Sequence, residues 1–141
     1  MSAIALLPRI RIMAICDGIK ESKIETGVFH LKGVRHSIFT EGFPLVPDRL
    51  WLFLVFSCPR PGRHPCYVRI LNDRNGRTVF SSYLRPMPTF AVDRELSINR
   101  ARIRCAFPEA GTYAVQVWFF QKHGNDVLKG EMPFSVFEME S

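Results

Sequence analysis

The residues best equipped for chemistry lie in one stretch, Cys58-Pro-Arg-Pro-Gly-Arg-His-Pro-Cys66. Cys58, His64 and Cys66 offer two thiols and an imidazole, the ligand types that zinc prefers. Zinc sites usually draw paired ligands from two separate knuckles, however, and here the second pair is missing. Pro59, Pro61 and Pro65 stiffen the loop further. The stretch therefore reads as a loop closed by two structural cysteines, with no metal and no cofactor expected; a disulfide between Cys58 and Cys66 is the alternative. His30 and His36 flank Gly33 on what reads as one strand, yet neither has a nucleophile beside it. Ser37, Ser81 and Ser82 lack the Gly-x-Ser-x-Gly setting that exposes a nucleophile on a sharp turn. No phosphate-cradling glycine loop occurs, and the acidic residues are too scattered for a carboxylate pair or a calcium site. No catalytic set is visible, so the expectation is a protein that is not an enzyme.

A second constellation does not need catalysis. Arg100, Arg102 and Arg104 recur at every second position of Leu96-Ser-Ile-Asn-Arg-Ala-Arg-Ile-Arg-Cys-Ala-Phe107, while Ala101, Ile103, Cys105 and Phe107 take the alternate positions. On a strand this places three guanidinium groups in a line, about 6 to 7 Å apart. Carboxylates of a protein or phosphates of a nucleic acid would suit such a line. The bland alternative is a solvated face whose charges pair with Asp or Glu on the neighbouring strand. No aromatic residue is interleaved with these arginines, which weakens single-strand nucleic-acid binding.

The whole chain leans the same way. It has 141 residues and a formal charge of +6, and 14 Arg with 5 Lys make up its 19 basic residues. Arginine is the residue of planar contact with carboxylate and phosphate, so the skew favours a partner-facing surface. The length suits one domain, spanning 1–141, that buries a core without staples. Ala3 to Leu7 is too short for a signal segment, and the longest apolar run, Leu50 to Phe56, is too short to cross a membrane. A cytoplasmic setting with four reduced thiols follows as the expectation, and no membrane partner.

The elements that must position these residues are strands. Twelve phenylalanines, with Val and Ile, favour them. Arg9 to Cys16 reads as a first strand with Ile10, Ile12, Ala14 and Cys16 inward, ended by a turn at Asp17-Gly18. Gly27 to Phe39 reads as a long strand bent at Gly33, followed by a proline-rich crossing between sheets. Leu50 to Phe56 is apolar on both faces, so it is covered on both sides or meets a partner. Asn75-Gly76 turns a hairpin between Tyr67–Leu71 and Thr78–Leu84. Phe107-Pro-Glu-Ala-Gly-Thr-Tyr113 leads into a strand with Tyr113, Val115, Val117 and Phe119 on one face. Its other face carries Ala114, Gln116, Trp118 and Phe120. A last strand, Val127 to Phe137, is broken at Pro133 as an edge strand tolerates. About eight strands and no convincing helix make an all-β protein, an antiparallel β-sandwich.

The order Gly111-Thr112-Tyr113 resembles the tyrosine corner of immunoglobulin-like sandwiches, and Trp51 resembles their buried strand-C tryptophan. The inter-sheet disulfide of antibody domains is missing, since Val115 stands where its second cysteine would be. Cys16-Asp17, Thr26-Gly-Val-Phe-His-Leu-Lys-Gly-Val34, Phe43-Pro44, the corner and Met132-Pro-Phe-Ser-Val136 together resemble a family of short, uncharacterised bacterial proteins with an immunoglobulin-like fold. The resemblance implies fold and a bacterial source, and supplies no functional residues. Arg100, Arg102, Arg104, Trp118 and Phe120 are thus the candidate interaction surface. The expected function is a non-enzymatic domain that binds a protein or assembles with itself. Nucleic-acid binding by the arginine line is the second reading, and an enzyme with a loop-assembled site the third.

Overall fold

Alternating side chains draw the chain into strands throughout. The computed structural model describes Leu7 to Glu140, and within these residues it forms eleven strands and no helix. Four make one sheet, in the order β2 (Phe29–Arg35), β1 (Arg9–Glu21), β4 (Trp51–Ser57) and β9 (Leu96–Arg102). Five make the other, in the order β3 (Ser37–Thr40), β11 (Val127–Glu138), β10 (Gly111–Phe119), β6 (Cys66–Asn72) and β7 (Thr78–Tyr83). A small third sheet pairs β5 (Gly62–Arg63) with β8 (Thr89–Phe90). All pairings are antiparallel except β3 with β11. The fold is an immunoglobulin-like β-sandwich, with more strands than the expected eight because two are only a residue pair long and one expected strand divides.

That division occurs at His36. Gly27 to Phe39 is two strands: β2 pairs with β1 in the first sheet, and β3 joins β11 in the second. The chain returns to the first sheet through Glu41 to Asp48, as the prolines of that crossing suggest.

Leu52, Leu54 and Phe56 of β4 meet Val68, Ile70, Val115, Val117 and Phe119 of the second sheet in one buried core. Phe56 and Phe119 pack edge to face across it, with ring centroids 5.5 Å apart. Tyr113 is fully buried, its hydroxyl donates to the Glu109 carbonyl at 2.7 Å, and its ring meets Phe107 at 4.9 Å. This is the tyrosine corner that the sequence order suggested. The β6–β7 hairpin also forms as read, with Gly76 at φ 73 and its N–H on the Asn72 carbonyl at 2.8 Å.

β1 differs from its reading in two ways. A bulge between Ile10 and Ile12 shifts the alternation, so Ile10, Met13 and Ile15 pack against the core while Ile12 is exposed. The strand also runs through Asp17-Gly18 and reaches Glu21. Asp17 lies beside Gly33 of β2 and forms an ion pair with Arg35, so the ladder is held where a turn was expected. The reversal falls later, with Ser22 N–H on the Val28 carbonyl at 2.7 Å.

β11 is not an edge strand along its whole length. Its parallel ladder with β3 begins at Ser135, so Pro133 lies where that side is still unpaired, and the missing N–H costs no bond there.

Candidate functional site

Trp51 is not the core tryptophan of an immunoglobulin domain. A strand alternates with a period of two, and Leu52, Leu54 and Phe56 already take the core side of β4. Trp51, Phe53 and Val55 therefore face outward. Phe53 and Val55 are nonetheless buried, at 5% and 8% exposure. Phe29, from the far end of the β1–β2 hairpin, brings its ring to within 5.6 Å of the Phe53 ring, so the hairpin folds back over this part of the sheet. Trp51 opens the strand, two positions before Phe53 on the same face, and is only half-buried.

What covers Trp51 is arginine. In the β4–β9 ladder Trp51 stands opposite Arg102, and Phe53 opposite Arg100. Both guanidinium carbons lie 5.9 Å from the centre of the indole. Each such contact contributes roughly 0.5–1 kcal/mol at an exposed site. Arg102 also donates through Nη2 to the Asp48 carbonyl at 2.9 Å. Among the described residues the ion pairs are Arg35 with Asp17 and Arg74 with Glu109, and none involves Arg100, Arg102 or Arg104. The neighbouring strand thus supplies an aromatic partner where a carboxylate was the bland alternative.

Arg104 falls outside this arrangement. β9 ends at Arg102, and beyond it Ile103, Cys105 and Phe107 still point into the core without a continuous ladder. Ile103 N–H reaches the Leu50 carbonyl at 2.8 Å, and Phe107 bridges to Leu45. Arg104 is exposed on this irregular segment, so the line of three guanidinium groups is a strand-borne pair with a third beyond its end.

Other cations gather near the pair. A cleft of about 340 Å³ is lined by Asp17, Lys20, Lys32, Arg49, Trp51 and Arg100, among others. Its one carboxylate, Asp17, is engaged by Arg35. The apolar side chains of Leu96 and Ile98 on β9 and Ile12 on β1 are exposed on the same sheet. The face combines a cationic end with an apolar flank.

Trp118 and Phe120 lie elsewhere. Trp118 follows the outward phase of β10 in the second sheet, so the strand-borne candidates Arg100, Arg102 and Trp118 divide between two different sheets of the sandwich. The Trp118 ring lies parallel to that of Tyr67, 6.3 Å away, and Tyr67 meets Tyr83 edge to face at 5.7 Å. Trp118 Nε1 donates to Gln116 Oε1 at 2.9 Å, and Gln116 Nε2 donates to Glu131 Oε2 at 2.7 Å. Phe120 is exposed just past the end of the strand. The sequence missed the Trp51 pair because its members are brought together only by the β4–β9 register.

Among the described residues, no group of three His, Cys, Asp or Glu lies close enough to hold a metal ion. Cys58 Sγ is 3.9 Å from His64 Nε2, and all four cysteines are free and buried. His64 packs against Phe90 and Phe119, and burial lowers its pKa. Burial pushes the Cys66 and Cys105 thiols up to about 12. These are inert core groups, since the thiolate is the reactive form. His30 and His36 are both exposed.

No family model matches the chain, and no curated protein matches it. Several solved structures are similar to it, three of them as follows. CopC from Methylosinus trichosporium OB3b has 16% identity and a TM-score of 0.38, covering 76% of this chain and 89% of its own. The soluble domain of PmoD from Methylocystis sp. ATCC 49242 (Rockwell) has 11% identity and a TM-score of 0.39, covering 91% and 96%. An immunoglobulin-like protein, PA1606, from Pseudomonas aeruginosa has 15% identity and a TM-score of 0.40, covering 92% and 96%. At these values the likeness carries no argument about function.

Proposed function

We propose that this chain is a non-enzymatic interaction domain that holds an acidic protein segment against the outer face of the β2-β1-β4-β9 sheet. One observation carries the reading: Arg100 and Arg102 are held over Trp51, with no carboxylate among the described residues paired to them. Guanidinium groups positioned on an aromatic ring lose little further freedom when they meet a carboxylate. Arg49, Lys20 and Lys32 extend the positive field beside them, and Leu96, Ile98 and Ile12 supply apolar contact. The four free thiols fit a reducing bacterial cytoplasm as the setting of this domain.

Nucleic acid is the second reading, and Trp51 favours it more than the sequence did, because an aromatic ring does sit among the arginines. The protein reading ranks above it for two reasons. The indole is already covered by guanidinium groups, and the exposed aliphatic flank offers nothing to a phosphate backbone. Affinity capture from the native host, run in parallel with wild type and the variant Trp51→Ala/Arg100→Ala/Arg102→Ala, tests the proposal. The expected result is a protein partner retained by the wild type and lost by the variant. A monodisperse monomer that captures no protein sinks it. Capture of nucleic acid that weakens with salt would install the second reading instead.

A further inference from the structure

A large concavity lies away from the basic face, at the edge of the second sheet. It is a groove of about 660 Å³ between the end of β7 and the small β5–β8 sheet. Leu84, Pro86, Met87 and Tyr83 give it apolar walls, and Arg63 and Arg85 stand on its rim. No acidic residue lines it, and neither arginine has an ion-pair partner among the described residues. The walls are fixed by backbone bonds: Leu84 N–H donates to the Cys66 carbonyl at 2.8 Å, and His64 N–H to the Pro88 carbonyl at 3.0 Å. The groove is therefore preformed, and its size lies within the range of about 300–1,000 Å³ usual for small-molecule sites.

We infer that this groove is a binding site for a small amphiphilic anion, with an apolar body against Tyr83, Leu84 and Met87 and its head group on Arg63 and Arg85. Two unpaired guanidinium groups above apolar walls complement a ligand of that shape and charge, and neither a neutral lipid nor a cation uses both halves. Carboxylate and phosphate heads share the required chemistry. The inference is independent of the basic face, because its residues belong to the second sheet, the small third sheet and the segments that join them.

Isothermal titration calorimetry with decanoate, decyl phosphate and decanol, each below its aggregation range, tests it. Saturable binding of one equivalent of decanoate or decyl phosphate is expected, the tighter of the two identifying the head group. Decanol should bind at least tenfold more weakly. In Arg63→Ala/Arg85→Ala the anion should lose at least tenfold in affinity, whereas Arg100→Ala/Arg102→Ala should bind it as the wild type does. Both double variants change exposed side chains, and a single cooperative unfolding transition in each will show that they fold. The absence of saturable binding, decanol binding as tightly as decanoate, or unchanged affinity in Arg63→Ala/Arg85→Ala would each overturn the inference.

Discussion

Gly33 lies against Asp17 across the β1–β2 ladder with no room for a methyl group between them. Its φ of 60 lies in the left-handed region, and a Cβ there would overlap the Asp17 carboxylate. Gly33→Ala is expected to cost about 2 kcal/mol or more, from the backbone penalty and the overlap together. The cost should shrink when Asp17→Ala removes the obstacle. Denaturant titration of the four-member cycle measures this, and an equal cost in both backgrounds would leave only the backbone term.

The tyrosine corner gives a second expectation. Tyr113 is fully buried and its hydroxyl ends on the Glu109 carbonyl. Tyr113→Phe keeps the ring and its edge contact with Phe107 while leaving that carbonyl without its donor. A loss of about 1 to 2 kcal/mol is expected, with an unchanged denaturant slope. A variant as stable as wild type would mean that the corner is geometry alone.

These two residues also mark what the sequence could and could not disclose. Gly111-Thr112-Tyr113 and Asn75-Gly76 are local signals, carried by neighbours along the chain, and both formed as read. Gly33 reads as a bend from the sequence, and its positive φ agrees, but the second reason for glycine there is Asp17, a residue in a different strand. The phase of β1 was misread because a bulge at its start leaves no mark in the alternation itself. Trp51 and Arg102 are far apart in sequence and opposite in the ladder, so only the register discloses their contact. The same holds for the two different sheets between which the strand-borne candidates divide: alternation says which side chains leave the core, and topology says on which sheet they emerge.

The Trp51–Arg102 contact should be measurable without any ligand. A double-mutant cycle of Trp51→Ala and Arg102→Ala is expected to show favourable coupling of about 0.5–1 kcal/mol. The same variants made with Arg104→Ala in place of Arg102→Ala should show none, since Arg104 lies beyond the end of β9. Zero coupling for Arg102 would mean that the guanidinium is not held over the ring, and the proposed preorganisation of the basic face would fall with it.

The buried thiols set the response to alkali. Cys66 and Cys105 both belong to the apolar core, and burial raises each from its usual 9.0 to about 12. Above about pH 9 the unfolded chain sheds these protons while the folded protein keeps them. The folded state then binds more protons than the unfolded one, so stability falls as pH rises. Tyr67, raised from 10.0 to about 12 by burial and then by its hydrogen bond to Asp126, adds to the fall only from about pH 10 upward. Tyr113, raised by burial as well, joins in the same range, so comparing denaturant midpoints at about pH 8 and about pH 9 weights the thiols over the tyrosines. Cys66→Ala/Cys105→Ala is expected to start less stable, because it leaves small cavities in the core, yet to lose less between the two pH values. A variant that loses as much as the wild type would assign the alkaline sensitivity to other groups, among them Cys16 and Tyr113, which burial also raises.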